Sequence, residues 1–183
     1  MLQKHGVAEA KIWPWLVMAA VMTATVCQLR HQGRLWWCAC GQFYPWAGDV
    51  WSSHNSQHLF DPYSFTHILH GLVLYGLLAW TWPKLSLAWR LCLAVSIEAL
   101  WEVLENTDFT IQRYRTLTIA LDYQGDTIAN SLGDILSCCT GFALARQLLF
   151  WGSVGLFVGT ELMLFVWIGD SLLLDVARLI YAG

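Results

Sequence analysis

Residues 64–106 read SFTHILHGLVLYGLLAWTWPKLSLAWRLCLAVSIEALWEVLEN. Two runs, one from Ser64 to Trp82 and one from Leu85 to Asn106, each approach the roughly 20 apolar residues with which a helix crosses a bilayer core. Only Pro83 and Lys84 separate them, so the stretch predicts an antiparallel helical hairpin. Inside it stand His67, His70, Glu98, Glu102 and Glu105. Ionisable groups in segments of this kind are costly in lipid and mark functional positions.

Working outward, the same ruler predicts a first span over about 12–29, a fourth over 126–150 and a fifth over 151–168 after a tight reversal. The first reads as an anchor and not a cleaved signal, because no small-x-small site follows it promptly. Residues 170–183 form an amphipathic tail that extends the fifth helix or lies in the interface. The expectation is one all-α domain over 1–183, a polytopic membrane bundle of about five helices. Residues 30–63 differ in kind, with four Trp, several Gly, Ser and His, two closely spaced Cys and little periodicity. Trp and Tyr gather at headgroup level, so this loop is expected to lie on the membrane surface and cap the bundle.

Composition agrees. With 57% hydrophobic and 13% charged residues and twelve Trp, the chain lies far from a soluble average of about 25% charged. A net charge of -3 excludes nucleic-acid binding, which needs a basic surface. Lipids are the expected surroundings, with a membrane-protein partner or a second copy as further candidates. Lys and Arg divide evenly between the two sides and leave orientation open. A cytoplasmic N-terminus is favoured because it puts Cys38 and Cys40 in an oxidising compartment.

If spans two, three and four alternate in direction, His67 and His70, then Glu98 to Glu105, then Asp126, Asn130 and Asp134 all fall in one leaflet. Positions 98, 102 and 105 share one helical stripe. Positions 126, 130 and 134 share another, descending roughly 12 Å at about 1.5 Å per residue. The expected site is a funnel from the interface toward the bilayer middle.

Three readings fit such a funnel. His67, His70, Glu102 and Asp126 have helix spacings suited to a divalent metal such as zinc, iron or manganese. Glu98, Glu102, Glu105, Asn130 and Asp134 would then move protons or orient reacting groups. A second reading is a structural network, with Arg113 and Arg115 neutralising Glu102, Glu105, Asp122 or Asp126, and Asp126 at a helix N-terminus. A third is a proton or ion relay, although the chain lacks an inverted repeat. Cys38-Ala39-Cys40 is open to a local disulfide, a soft-metal pair or thiols bonded elsewhere. Without a second cysteine pair it falls short of a structural zinc motif. His54 and His58, set among Ser and Asn, read as solvated. Cys27, Cys92, Cys138 and Cys139 read as packing residues, and Glu161 as an intramembrane charge facing an unidentified partner.

Several motifs carry a resemblance: Asp61-Pro62-Tyr63-Ser64-Phe65-Thr66-His67 with His70-Gly71; Trp101-Glu102-Val103-Leu104-Glu105-Asn106; Arg113-Tyr114-Arg115; Leu121-Asp122-Tyr123 with Gly125-Asp126; and Asn130-Ser131-Leu132-Gly133-Asp134. From about Arg34 to Arg146 the chain resembles an uncharacterised bacterial multi-pass membrane-protein family, domain of unknown function 2585. The resemblance implies a bacterial inner-membrane location and no particular activity. A fainter pattern is similar to VanZ-like membrane proteins, in which Asp-x-x-His, Glu and Asp-x-x-x-Asn-x-x-Gly elements follow one another. Asp126, Asn130 and Gly133 match the last, whereas Asp61 stands six residues before His67 instead of three.

The sequence therefore favours a metal-assisted or acid/base intramembrane enzyme acting on a lipid or lipid-linked substrate. The alternatives are a non-catalytic assembly or scaffold subunit and a proton- or ion-coupled transporter.

Overall fold

The computed structural model of the chain describes residues 3–117 and 123–181. Its elements are α1 (Gln3–His31), α2 (Ser64–Thr81), α3 (Leu87–Glu105), α4 (Asp108–Leu117), α5 (Ile128–Ile168) and α6 (Leu172–Tyr181). Among the described residues no strand forms, and Trp46 and Phe60 make an isolated bridge.

The hairpin appears where Pro83 ends the second run. Ser86 then caps α3, its hydroxyl accepting from the Trp89 amide at 3.4 Å. Thr127 caps α5 in the same way, accepting from the Asn130 amide at 3.2 Å. That position corrects the expectation that Asp126 caps this helix. Asp126 lies one residue too early, and its carboxylate is engaged elsewhere.

Residues 108–117, which lie between the predicted third and fourth spans, form α4. The segment is short and polar, so it lacks the long apolar period by which the other helices declare themselves. Thr107 starts it, accepting from the Thr110 amide at 3.4 Å.

The long α5 is two arms. Leu149 breaks it at φ 58 and ψ -170, a left-handed conformation outside the helical region. Near the arms' far ends, Asp134 bonds Ser64 at 2.7 Å and Asp170 bonds Tyr63 at 3.4 Å. A straight helix would put residues 134 and 170 about 54 Å apart, so the chain must fold back between them.

The core lies between α2, α3 and the two arms. Leu74, Leu78, Ala94, Cys138 and Phe142 make one cluster. Leu69, Leu72 and Ala145 make another, with Leu156 and Phe157 of the second arm packed against it. Cys92 and Cys138 are buried, as packing residues should be, whereas Cys27 is exposed. Helices α2 and α5 touch backbone to backbone. A Cβ on Gly71 would lie 2.0 Å from the Cys138 carbonyl oxygen, and one on Gly141 would lie 2.0 Å from that of Ile68. Close approach through small residues is the packing mode of helices that gain nothing from burying Leu against Leu in lipid.

Among the described residues, two helices are long and apolar enough to cross a membrane, α1 over Ile12–His31 and α5 over Ile128–Ile168. The inward polar residues of α2 and α3 lower their hydropathy. Residues 32–63 wrap the end of the bundle. The Leu35 and Trp36 carbonyls accept from the first amides of α5, Ile128 and Ala129, at 2.8 and 3.0 Å. These bonds satisfy donors that a helix start otherwise leaves open. Trp46 stacks on Trp167 with ring centroids 6.2 Å apart, tying the loop to the end of the second arm.

Candidate active site

Helix α2 starts at Ser64, which puts His67 and His70 on its first turns and on one face. Helix α3 runs the other way and brings Glu98 and Glu102 opposite them. His67 Nδ1 lies 2.6 Å from Glu98 Oε1, and His70 Nδ1 lies 3.0 and 3.1 Å from the two Glu98 oxygens. Glu98 is 1% exposed, and His67 is 6% exposed. One buried carboxylate thus receives two imidazoles.

The distances decide how this trio works. Two ligands about 2.0–2.2 Å from one tetrahedral ion stand about 3.3–3.5 Å apart. A separation of 2.6 Å is too short for that and fits a charge-assisted hydrogen bond. Glu98 therefore accepts Nδ1–H from both rings, which leaves each Nε2 as the basic nitrogen. A carboxylate behind an imidazole in this way fixes its tautomer and raises its basicity.

Asp134 faces the other edge of His67, with Oδ2 3.9 Å from Nε2. The Ser64 hydroxyl donates to its other oxygen at 2.7 Å. Asn130 belongs to a neighbouring knot, its Nδ2 donating to Asp61 Oδ2 at 3.3 Å. Asp61 also accepts from the amides of Ser56 (3.0 Å) and Tyr63 (2.7 Å). Asp126 accepts from Asn106 Nδ2 at 2.8 Å and from the Tyr123 hydroxyl at 2.9 Å. It stands beside the histidine cluster rather than in it.

Glu102 is different. It is 0% exposed, its Oε1 lies 3.4 Å from His67 Nδ1, and neither oxygen has a hydrogen-bond partner. A buried carboxylate left this way is neutralised by a proton or a cation. With His67 and Glu105 it forms a group whose ligand atoms lie within 4.8 Å of one another. His67, His70 and Glu98 form a second such group. Glu105 also bonds the Tyr114 hydroxyl, which α4 supplies.

Arg115, one of the two arginines expected at the carboxylates, donates instead to the Tyr123 carbonyl at 2.5 Å and to the Gln124 side-chain Oε1 at 2.6 Å. Asp122 lies outside the described residues. Glu161 accepts from the Leu173 amide at 3.2 Å, so its partner is the start of α6.

Two readings of the loop histidines need correcting. His58 is 1% exposed, and His54 Nδ1 lies 3.1 Å from His58 Nε2 and 3.5 Å from Cys38 Sγ. They are paired, not solvated. Residues that the sequence reading did not connect are Ser64 and Asn106. Each had a helical signal, Ser64 three before His67 and Asn106 four after Glu102, on the same faces.

A cavity of about 420 Å³ opens on the cluster, lined by His67, His70, Glu98, Glu105 and Asp134 at its polar end. Asn55 and Ser56 of the loop line it as well. Val73 and Phe157 belong both to this cavity and to an adjoining apolar one of about 550 Å³ between α2 and the second arm of α5. From α6, Asp175 faces the same space. Burial and the neighbouring Asp170 push its carboxyl from 3.8 up to about 8, against the opposing pull of Arg178. The native state thus holds a proton that the unfolded chain releases above about pH 4, and stability falls as pH rises from about 4 to about 8. Asp175→Asn should flatten that slope, melting above wild type at pH 8 and alongside it near pH 4 in detergent.

An all-helical bundle that surrounds a buried imidazole and carboxylate cluster with an apolar-walled cavity is the class that fold and site define. The chain belongs to the family described as Protein of unknown function (DUF2585), whose model matches residues 29–182. A UPF0314 protein of Paracoccus denitrificans is 44% identical over 144 residues, covering 79% of this chain and 75% of the relative. One from Sphingopyxis alaskensis is 40% identical over 166 residues, covering 91% and 88%. One from Sinorhizobium fredii is 42% identical over 174 residues, covering 94% and 88%. No solved structure matches the chain.

Proposed function

We propose that this chain is a multi-pass bacterial inner-membrane enzyme that performs acid/base chemistry on the headgroup end of a lipid or lipid-linked substrate. The observation that carries the reading is the pair of neighbouring cavities. His67, His70, Glu98 and Asp134 line one of them, and Val73 and Phe157 line both it and the apolar groove beside it. A headgroup fits the first and an acyl or prenyl chain the second.

Membrane insertion of the whole bundle is supported by its inverted surface. Leu77, Leu100, Leu162 and Val166 are exposed, whereas Glu98, Glu102, Asn130 and Asp134 are buried. Such an arrangement suits lipid outside and water within. The reversal at Leu149 makes two spans of α5, and with α1, α2 and α3 the count is five.

In the proposed chemistry His67 Nε2 takes a proton from a headgroup hydroxyl or a water, and Glu98 stabilises the imidazolium that results. Asp134, 3.9 Å from Nε2, orients the reacting group or receives the proton onward. His70 shares the Glu98 carboxylate and sets its position. A metal-assisted form of the reading is favoured by Glu102, whose unpartnered oxygens, with His67 and Glu105, suit a divalent cation.

The test is complementation of a strain lacking the gene under a condition where growth depends on it. His67→Ala should fail to restore growth while accumulating in the membrane at the wild-type level. Growth restored by His67→Ala, or loss of growth matched by loss of protein, would contradict an enzymatic role and favour a scaffold.

A further inference from the structure

Away from the cluster, the surface loop gathers a second set of metal-binding side chains. Cys38, Cys40, His54 and His58 place one ligand atom each within 4.8 Å of all the others. The set is two thiols from a Cys-x-Cys turn and two imidazoles four residues apart. Cys38 Sγ lies 3.5 Å from His54 Nδ1, and His54 Nδ1 lies 3.1 Å from His58 Nε2. In a tetrahedral zinc site, bonds of about 2.3 Å to sulfur and about 2.0–2.1 Å to nitrogen put such pairs about 3.5 and about 3.3 Å apart. These two pairs agree with site spacing within a few tenths of an ångström, and Cys40 lies within 4.8 Å of the other three ligand atoms.

The backbone supplies a second, independent sign. The Cys40 amide points at Cys38 Sγ and the Gln42 amide at Cys40 Sγ, each at 3.5 Å. Gly41, at φ 76 with open space around it, permits the turn that aims the Gln42 amide. N–H groups directed at two sulfurs stabilise thiolates, the ionised form that a metal takes. Both cysteines are free thiols, and Cys38 is buried.

From this geometry we infer that residues 38–58 form a structural zinc site with Cys38, Cys40, His54 and His58 as its four ligands. Two sulfurs and two nitrogens in a closed set select zinc over harder cations. Tyr44 N–H donates to His58 Nδ1 at 3.3 Å, which leaves the ring proton on Nε2, directed at His54. With the cation on Nε2 the ring stays neutral, its hydrogen moves to Nδ1 and the Tyr44 bond is given up. The protons released on metal uptake are those of the Cys38 and Cys40 thiols.

The site's role follows from what lies between its histidines. His54 and His58 bracket Asn55 and Ser56, which line the cavity. The Ser56 amide holds Asp61 at 3.0 Å, and its carbonyl accepts from Thr127 N–H at 3.0 Å. Zinc would staple a segment with no helix or sheet of its own onto the mouth of the bundle. This assignment stands whether or not the cavity is catalytic.

The experiment uses the full chain, purified in mild detergent under reducing conditions. Elemental analysis in a His67→Ala background, which removes the cluster's own candidate metal site, should give one zinc per chain, lost in the double cysteine variant Cys38→Ser, Cys40→Ser made in the same background. Cobalt substituted into the wild-type protein should give the strong visible bands of a tetrahedral site together with thiolate-to-cobalt charge transfer, a readout that needs no variant to fold. Chelation should speed proteolysis within 36–60 at least tenfold. The assignment is overturned by zinc well below one equivalent after reduction and reconstitution. It is equally overturned by a cobalt spectrum without thiolate bands, or by zinc that survives the double cysteine variant.

Discussion

Glu98→Gln should reduce activity at least a hundredfold while leaving the bundle assembled. The change is isosteric, but an amide offers the rings one acceptor oxygen in place of two and turns N–H hydrogens toward the other nitrogen. His67 and His70 then lose the shared anion that holds both as Nδ1–H tautomers at 2.6 and 3.0 Å. Loss of a positioned acid or base costs about 10²–10⁴ in rate. The tautomers give a readout that needs no substrate. Nitrogen-15 histidine spectra of wild-type protein should contain two rings protonated on Nδ1, assigned by their absence in His67→Ala and His70→Ala. In Glu98→Gln those resonances should move toward the ordinary Nε2–H form. Unchanged spectra would mean that Glu98 does not orient the rings.

The second large effect concerns the backbone contact that brings those rings to the site. Gly141→Ala puts a methyl group 2.0 Å from the Ile68 carbonyl oxygen, one residue from His67. No side chain can give way there, because the obstacle is backbone on both helices. Overpacking of well-packed sites costs about 1–3 kcal/mol, and rigid ones exceed that range. Gly141→Ala should lower the detergent melting temperature by more than 10 °C and reduce accumulation severalfold. Gly76 lies on the same α2 helix with nothing within 4 Å of its added Cβ, so Gly76→Ala should be harmless or slightly stabilising. Equal effects from the two substitutions would remove the case for close docking of α2 on α5.

Much of this architecture could be read from periodicity and punctuation. Pro83 and the apolar runs on either side of it announce the α2 and α3 hairpin, and alternation of direction is enough to bring His67 and His70 to Glu98. Stripe logic also put Glu102 beside Glu98, but it could not say that Glu102 would be left without a donor. That depends on which atoms the opposite helix presents at each height.

Asp126 and Asn130 illustrate the limit. Both sit on the predicted face of the fourth span, yet Asn106 and Tyr123 take one and Asp61 the other. Their partners come from helix ends and loops, where no period relates sequence separation to distance. Helix α4 escaped for a related reason, being ten residues long and mostly polar. The pairing of Cys38 and Cys40 with His54 and His58 was invisible because it crosses a segment with no regular structure. Spacing within each pair was legible, and the meeting of the pairs was not.

If the His67, His70 and Glu98 cluster sits at the polar end of a cavity that takes a lipid chain, photolabelling in bilayers with a phospholipid carrying a diazirine on its acyl chain should detect that chain. Adducts are expected on Val73, Val154 or Phe157, suppressed by Phe157→Trp, in addition to labelling of the outer surface. Adducts confined to outward residues such as Leu77, Leu100 and Leu162, unchanged in Phe157→Trp, would contradict that placement.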